Sequence, residues 1–211
     1  MKKWLFTLLM IMLVVGLFGC SSKKADSKPS ENKTPLETKT STGSNGTPVK
    51  GGTIIVGTSS EPDSLDPHKT GEAAANIIMG NIGASLVYQD PKTKEFKPYL
   101  AKSWKTSADG KTWTFSLRQD VKFQDGSPLT AQDFVKTYER AKSTNFVASS
   151  DLKELKDVKA PDKYTLVLDL NDPFAPFLQY LSDPGWLQPL PAAEIAQGKD
   201  FSREPVGVGP F

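Results

Sequence analysis

The chain has little cysteine, little histidine and almost no net charge, and each shortage excludes a class of function. Its 211 residues include one cysteine, Cys20, which excludes an intramolecular disulfide framework and any multi-cysteine metal site. The one histidine, His68, removes most catalytic and metal sites that depend on histidine. The formal net charge is +2 and there is no basic stripe, which argues against nucleic acid as a partner.

The N-terminal end of the chain has the features of an export signal. Lys2 and Lys3 precede an apolar run of fifteen residues, 4–18, in which Thr7 is the only polar side chain. As a helix the run would be roughly 22 Å long, which is shorter than the roughly 30 Å hydrocarbon core of a bilayer. A secretory signal is therefore favoured over a transmembrane anchor.

Cys20 follows directly after this run, at the end of the sequence LFGC. The sequence resembles a bacterial lipobox, in which a small residue precedes a cysteine that is lipidated on sulfur and becomes the mature N-terminus. Phe18 is larger than the residue that is usual at its position. Lipidation of Cys20 is the prediction, and a buried thiol at the end of an ordinary membrane anchor is the alternative.

Residues 21–50 have the composition of a solvated tether. They contain no aromatic residue, and their non-proline apolar residues are Ala25, Leu36 and Val49. Such a segment cannot offset its ordering entropy by burial. Its expected reach is on the order of 30 Å, enough to hold a folded domain just clear of a membrane surface. A lysine-based lipid-binding patch is the alternative.

The stretch 111–140 has the clearest structural pattern in the chain. Apolar and polar side chains alternate over 113–117, which predicts a strand with one buried face, and the alternation continues at Val121 and Phe123. The Asp-Gly pair at 125–126 then predicts a tight turn. Thr130 is expected to be a helix N-cap, with Asp133 in the capping-box position. Four residues at helical spacing predict the buried face of that helix: Phe134, Val135, Tyr138 and Ala141.

Weaker patterns predict further strands and helices on both sides of this stretch. The β-branched run 53–57 is typical of a buried strand, and 73–79 of a helix that ends near Gly80. Two hairpins are expected, around the turns at 90–95 and 109–110. Another strand is predicted over 164–170, and a short helix entered through proline follows it, with Phe177, Leu178 and Leu181 as its buried set. Pattern alone indicates a small α+β core.

Four phrases of the sequence together resemble a known family. They are GGTIIVGTSSEPDSLDPHKT, LAKSWKTSADGKTWTFSLRQDVKFQDGSPLTAQDFVKTYERA, VKAPDKYTLVLDL and the terminal PVGVGPF. In this order they are similar to the extracytoplasmic solute-binding proteins of family five, the oligopeptide-, dipeptide- and nickel-binding receptors of ABC importers. The resemblance covers residues 51–211.

The resemblance implies an α/β fold with two lobes that close on a ligand, and a mixed α+β accessory domain built into the first lobe. Family members are much longer, so the chain is expected to be an N-terminal fragment that holds part of lobe one and the accessory domain. The implied division is a signal peptide over 1–19, lipidated Cys20 and tether over 20–50, lobe one over 51–84, the accessory domain over 85–185, and lobe one again over 186–211.

The resemblance also implies where a ligand is bound. In oligopeptide receptors the stretch after LDPHK pairs backbone to backbone with the peptide, which here is Thr70, Gly71, Glu72 and Ala73. The crossover into the accessory domain supplies further candidate contacts: Asn81, Gly83, Ala84 and Ser85. Gly83, Ala84 and Ser85 stand where many members have an aromatic-glutamate-glycine phrase. The acidic partner of a peptide's α-amino group is expected in the opposing lobe.

The remaining chemistry-bearing residues have structural explanations. His68 lacks companion ligands and matches a structural position of the family, so no metal or cofactor is expected. The four carboxylates that could suggest acid-base chemistry all fit turns or caps: Asp63, Asp66, Asp125 and Asp133. Trp104 and Trp113 are expected in the core, and stacking on a ligand is the alternative.

The expected function is therefore a receptor without enzymatic activity. It would be a monomer, anchored to the cell membrane through the lipid on Cys20, facing outside the cytoplasm and delivering oligopeptides to ABC permease subunits. One alternative is a receptor of the same fold for a nickel chelate, haem or sugar. Another is a surface lipoprotein that acts as a sensor, adhesin or chaperone.

Overall fold

A computed structural model describes residues 51–143, 146, 149 and 152–211. The elements, in chain order, are helix α1 (Ala73–Ile82), strands β1 (Val87–Gln89), β2 (Phe96–Pro98), β3 (Ala101–Thr106) and β4 (Thr112–Leu117), helix α2 (Ala131–Ala141), strands β5 (Leu155–Asp162) and β6 (Thr165–Leu170), and helices α3 (Phe177–Leu181) and α4 (Ala192–Ala196). Residues Ile54–Phe211 belong to one compact unit. The predicted signal peptide, Cys20 and the tether lie outside the described residues, as does most of the loop expected at 145–151.

An antiparallel sheet of four strands, in the order β3-β4-β6-β5, is the centre of this unit. Phe115 on β4 pairs with Trp104 on β3 and with Leu166 on β6, so the apolar side chains of neighbouring strands share one face. That face is buried and includes Phe115, Leu117, Leu166, Leu168 and Leu170. The predicted strands at 113–117 and 164–170 and the hairpin at 109–110 are confirmed. Trp104 and Trp113 are half-buried and pack against this core.

Helix α2 covers the buried face of the sheet. All four side chains predicted for its inner face are buried, namely Phe134, Val135, Tyr138 and Ala141. Its N-terminus has the predicted capping box between Thr130 and Asp133. The Asp133 carboxylate accepts the backbone N–H of Thr130 at 2.8 Å and also that of Ala192 at 2.8 Å. One carboxylate therefore both caps α2 and holds the start of α4 against it.

Helix α1 precedes a two-stranded sheet of β1 and β2, which adjoins the main sheet at β3. The helix is longer than predicted, because it continues through Gly80 to Ile82, with Gly83 as its C-cap. Burial explains the difference: Ala74, Ala75 and Met79 pack inward, and tertiary contact outweighs the low helix propensity of glycine. The predicted hairpin arms on either side of 90–95 are confirmed as β1 and β2.

Two strand predictions are wrong. Residues 53–57 form no strand, and Ile54, Ile55 and Val56 are 89%, 92% and 70% exposed. The reason is that a strand needs a neighbour for its backbone groups, and no strand of the described residues lies beside this run. The alternation at Val121 and Phe123 does not extend β4 either. The segment makes an isolated bridge between Lys122 and Pro128 and then turns at Gly126, whose φ is +87°.

The sequence patterns missed two elements, helix α4 and strand β5. Three of the eight residues of β5 are buried or half-buried, and its exposed positions carry lysine, so apolar alternation is weak. Pro161 within it also argues against a strand, but β5 is an edge strand, where a missing N–H is tolerated. The divisions predicted at 84 and 185 stay predictions. Within the described residues, no helix is long and apolar enough to cross a membrane.

Candidate ligand-binding groove

The crossover that follows α1 is held in place by Gln124 and the segment 207–209. The N–H of Gly209 donates to the carbonyl of Ile82 at 2.7 Å. The side-chain oxygen of Gln124 accepts the N–H of Gly207 at 2.8 Å, and the N–H of Gln124 donates to the carbonyl of Gly207 at 3.0 Å. A Cβ at Gly207 or Gly209 would collide with the carbonyl of Ile82. Both positions therefore require glycine for this close backbone approach.

A groove of about 700 Å³ runs beside the crossover. We call it the tyrosine groove, after Tyr88 and Tyr99. Gly83 and Ser85, two of the predicted contacts, lie in its wall, so the structure brings this pair together. Its lining is Gly80, Gly83, Ser85, Tyr88, Gln89, Pro98, Tyr99, Gln179, Ser182, Asp183 and Pro184. The volume lies in the range typical of small-molecule sites.

The other two predicted crossover residues do not line the tyrosine groove. Ala84 is buried and lines a second hollow of about 430 Å³, which also contains Tyr99, Arg118 and Lys122. Asn81 is exposed, and its side-chain amide donates to the carbonyl of Ile77 at 2.8 Å. A side chain that caps its own helix in this way is the weaker candidate for a ligand contact.

The stretch before α1 is less open than strand addition over four residues would require. Thr70 is fully buried; its hydroxyl donates to Asp63 at 2.6 Å and accepts the N–H of Glu72 at 3.1 Å. The carbonyl of Glu72 accepts the N–H of Asn76, and Ala73 begins the helix. Within the described residues, neither the N–H nor the C=O of Gly71 has a partner. Gly71 is therefore the residue of this stretch with both backbone groups free, and the backbone pairing stays a prediction.

The eight predicted contacts thus form two groups at opposite ends of α1. Four lie at its start, and the other four lie in its last turn or follow its end: Thr70, Gly71, Glu72 and Ala73, and then Asn81, Gly83, Ala84 and Ser85. Ten residues of helix separate them by about 15 Å. A single short ligand group cannot touch both ends, so an extended ligand is required if both groups bind it.

Asp66, His68 and Arg140 form a buried polar cluster beside Thr70. The Arg140 guanidinium donates to both carboxylate oxygens of Asp66, at 2.9 and 2.5 Å. It also contacts Nδ1 of His68 at 2.6 Å and stacks over Phe146, whose ring centre is 4.5 Å away. The turn predicted for Asp66 is present too, since its carboxylate accepts the N–H of His68. Arg140 was not among the predicted site residues, because nothing in its helical pattern indicates a partner 74 residues away in the sequence.

The protonation states of this cluster follow from burial and from Arg140. Burial alone would raise the pKa of Asp66, but the hydrogen bonds and charge of Arg140 outweigh it and hold that pKa below its usual value. Burial, and then the charge of Arg140, lower the pKa of His68 to about 3, against the smaller attraction of Asp66. Neutral His68 therefore accepts a hydrogen bond from Arg140 at Nδ1 and carries its proton on Nε2.

The other three carboxylates considered for acid-base chemistry have structural partners and share no common site. Asp63 accepts the hydroxyl of Thr70, Asp125 accepts the N–H of Ser127 at 2.8 Å, and Asp133 caps α2. No group of three or more His, Cys, Asp and Glu side chains that could hold a metal ion occurs in the part of the chain that the structure describes. The groove can bind, orient and desolvate a ligand.

Comparison with known proteins relates this arrangement to a receptor family. Residues 95–211 match the family described as bacterial extracellular solute-binding proteins, family 5, middle part. The probable D,D-dipeptide-binding periplasmic protein DdpA of Escherichia coli is 33% identical over 168 residues, which is 75% of this chain and 32% of DdpA.

Solved structures extend the likeness to the fold. MoaA of A. tumefaciens, solved in complex with mannopinic acid, has a TM-score of 0.66 at 33% identity. The likeness covers 72% of this chain and 32% of the MoaA chain. Haemophilus influenzae OppA, solved in complex with the peptide RPPGFSPFR, has a TM-score of 0.63 at 30% identity over 71% of this chain and 33% of OppA. The chain spans about a third of the length of these relatives. By family match, sequence and fold, the chain belongs to family 5 of the bacterial extracellular solute-binding proteins.

Proposed function

We propose that this protein is the solute receptor of an ABC importer, that it binds oligopeptides and that it performs no chemistry on them. The observation that carries the proposal is the match of residues 95–211 to the solute-binding family. Relatives named for dipeptide binding and solved with a bound peptide support a peptide as the ligand. Ligand would stabilise a closed arrangement of two lobes, and the permease would recognise that form.

The proposed binding mode uses backbone groups at one end of α1 and a groove at the other. Gly71 is exposed and offers one donor and one acceptor, which suits pairing with the backbone of an extended peptide. About 15 Å away, Gly83 and Ser85 line the tyrosine groove, where a side chain of the same peptide would lie. Backbone pairing gives an affinity that depends little on the sequence of the peptide. Water in the groove would accommodate different peptide side chains.

The peptide proposal predicts a rise in melting temperature. Full-length protein mixed with a peptide library should melt several degrees higher than the free protein, and the rise should grow with peptide concentration, because ligand binds the native state alone. Binding to a single purified peptide would then be measured by calorimetry. The matched controls are a nickel chelate, haem and a sugar mixture.

The outcome against the peptide proposal is equally specific. MoaA, which is as similar to this chain as DdpA, was solved with mannopinic acid, so a non-peptide solute is the second candidate. Stabilisation by one of the control solutes, with none by peptides, would assign the receptor to that solute. Mass spectrometry of ligand extracted from natively expressed protein gives an independent identification.

The proposed location is the outer face of the cell membrane, with the receptor as a monomer held by lipid on Cys20. The support is the sequence LFGC directly after the apolar run, followed by the tether of 21–50. In cells fed labelled fatty acid, wild-type protein should carry label and Cys20→Ser should carry none. Equal labelling of the two proteins would disprove lipidation at this residue.

A further inference from the structure

The electrostatic character of the tyrosine groove suggests which peptides it prefers. An adjoining hollow of about 440 Å³ shares Gln179 and Asp183 with the groove and adds Tyr180, Trp186 and Leu187. Among the described residues that line either space, Asp183 is the one carboxylate and no lysine or arginine occurs. The two spaces together therefore present a single negative charge to a ligand.

Asp183 has no opposing charge of its own. One carboxylate oxygen accepts the N–H of Gly185 at 2.7 Å, and no ion pair links it to any of the described residues. The lysine that lies opposite Tyr88 across the β1-β2 ladder, Lys97, is occupied by Asp90 at 2.6 Å. The second oxygen of Asp183 remains available to a cation that enters the groove.

Tyrosine rings from several elements line the same two spaces as Asp183. Tyr88 lies on β1, Tyr99 follows β2, Tyr180 lies on α3, and all three rings are exposed. The Tyr180 ring is steadied by Phe174, with ring centres 5.5 Å apart. Ammonium and guanidinium groups are attracted to aromatic faces as well as to carboxylates. The carboxylate and the aromatic rings therefore both favour a positively charged ligand group.

We propose that the tyrosine groove is a subsite for a positively charged group of the peptide, an ammonium or guanidinium, with Asp183 as its counter-charge. The inference rests on the proposed peptide function and names the ligand class at that site. Gln179 lies beside Asp183 in both spaces and supplies an amide that can hydrogen-bond the same group. A lysine side chain and a peptide's N-terminus share this chemistry, and the experiment separates them.

The test compares four peptides on full-length protein by calorimetry. They carry lysine or norleucine at one position, each with a free or an acetylated N-terminus. Wild type should bind the lysine peptide about three- to tenfold more tightly than the norleucine peptide, and added salt should reduce the difference. If lysine gives no advantage over norleucine and acetylation weakens both peptides instead, the bound group is the N-terminus.

Asp183→Asn is the critical variant, and Asp172→Asn is its matched control. Asparagine keeps an oxygen for the Gly185 N–H, so the fold should survive, as an unchanged melting temperature would verify. Asp172 is exposed, pairs with Lys111 at 3.2 Å and does not line the groove. The Asp183 variant should lose the preference for the lysine peptide over the norleucine peptide, while the Asp172 variant should keep it.

Two results would overturn the assignment, and they are distinguishable. If wild type binds the peptides but Asp183→Asn leaves every affinity within about twofold, the cation subsite is wrong and the peptide receptor stands. If wild type binds none of the four peptides or of a wider library, the peptide function is wrong and the subsite assignment fails with it.

Discussion

Replacement of Arg140 by alanine is expected to lower the free energy of unfolding by about 3–5 kcal/mol. Arg140 donates to both oxygens of Asp66, which is fully buried. Removal of the guanidinium takes two hydrogen bonds and the nearer of two counter-charges from a buried carboxylate, and it leaves Nδ1 of His68 without its donor. The loss should exceed that of a surface ion pair because Asp66 is fully buried, and the Lys69 ammonium, 3.8 Å from Asp66, is too far away to replace the two lost hydrogen bonds.

Urea unfolding of full-length protein would measure this loss, with Lys136→Ala as the control on the same helix. Lys136 forms an exposed pair with Glu139 at 2.8 Å, so its loss should cost less than about 1 kcal/mol. The double variant Asp66→Asn, Arg140→Gln should be more stable than Arg140→Ala, because no unpaired charge remains. Equal stability of Arg140→Ala and Lys136→Ala would show that the cluster does not stabilise the fold.

Stability should fall by about 3 kcal/mol between pH 6.5 and about pH 4, with His68 as the main cause above pH 5. The ordinary pKa of 6.5 applies to unfolded His68, whereas burial and Arg140 lower the folded pKa to about 3. Between these values the unfolded state binds a proton that the folded state does not, so acid favours unfolding. The lowered pKa of Asp66 acts in the same direction at still lower pH.

The window between about pH 5 and 6.5 isolates this effect, since carboxylates are mostly ionised there in both states. His68 is the one histidine of the sequence, so the slope should rise from about 0.7 kcal/mol per pH unit at pH 6.5, where half of the unfolded chains are protonated at His68, to about 1.3 at pH 5. His68→Asn keeps an acceptor for Arg140 and cannot titrate, so its stability should be nearly flat across this window. A slope that survives in this variant would refute the assignment to His68.

The parts of the fold that were predictable from the sequence are those whose cause is local. The strand at 113–117 follows from the alternation of apolar and polar side chains. The helix after Thr130 begins at a capping box between two residues that are three positions apart, Thr130 and Asp133. Strand β5 was missed because its inward residues are few and its lysines obscure the period. The run at 53–57 has the composition of a strand, but no strand of the described residues lies beside it. Composition alone does not indicate whether a neighbouring strand is present.

The candidate groove was predictable only in part, for a related reason. Gly83 and Ser85 were placed through family resemblance, but Tyr99, Gln179 and Asp183 come from distant segments that only the folded chain brings together. Arg140 and Asp66 are 74 residues apart in the sequence, and nothing in either local pattern indicates the other. Prediction from period and turn chemistry therefore describes the scaffold better than the site.

The exposed run Ile54, Ile55 and Val56 has a practical consequence for handling the protein. Adjacent β-branched residues whose backbone groups are unpaired act as a template for another chain, which is how edge strands begin to aggregate. Any preparation in which this run lacks a neighbouring strand is therefore prone to self-association that increases with concentration. A lysine placed within the run would act as a gatekeeper and favour solubility.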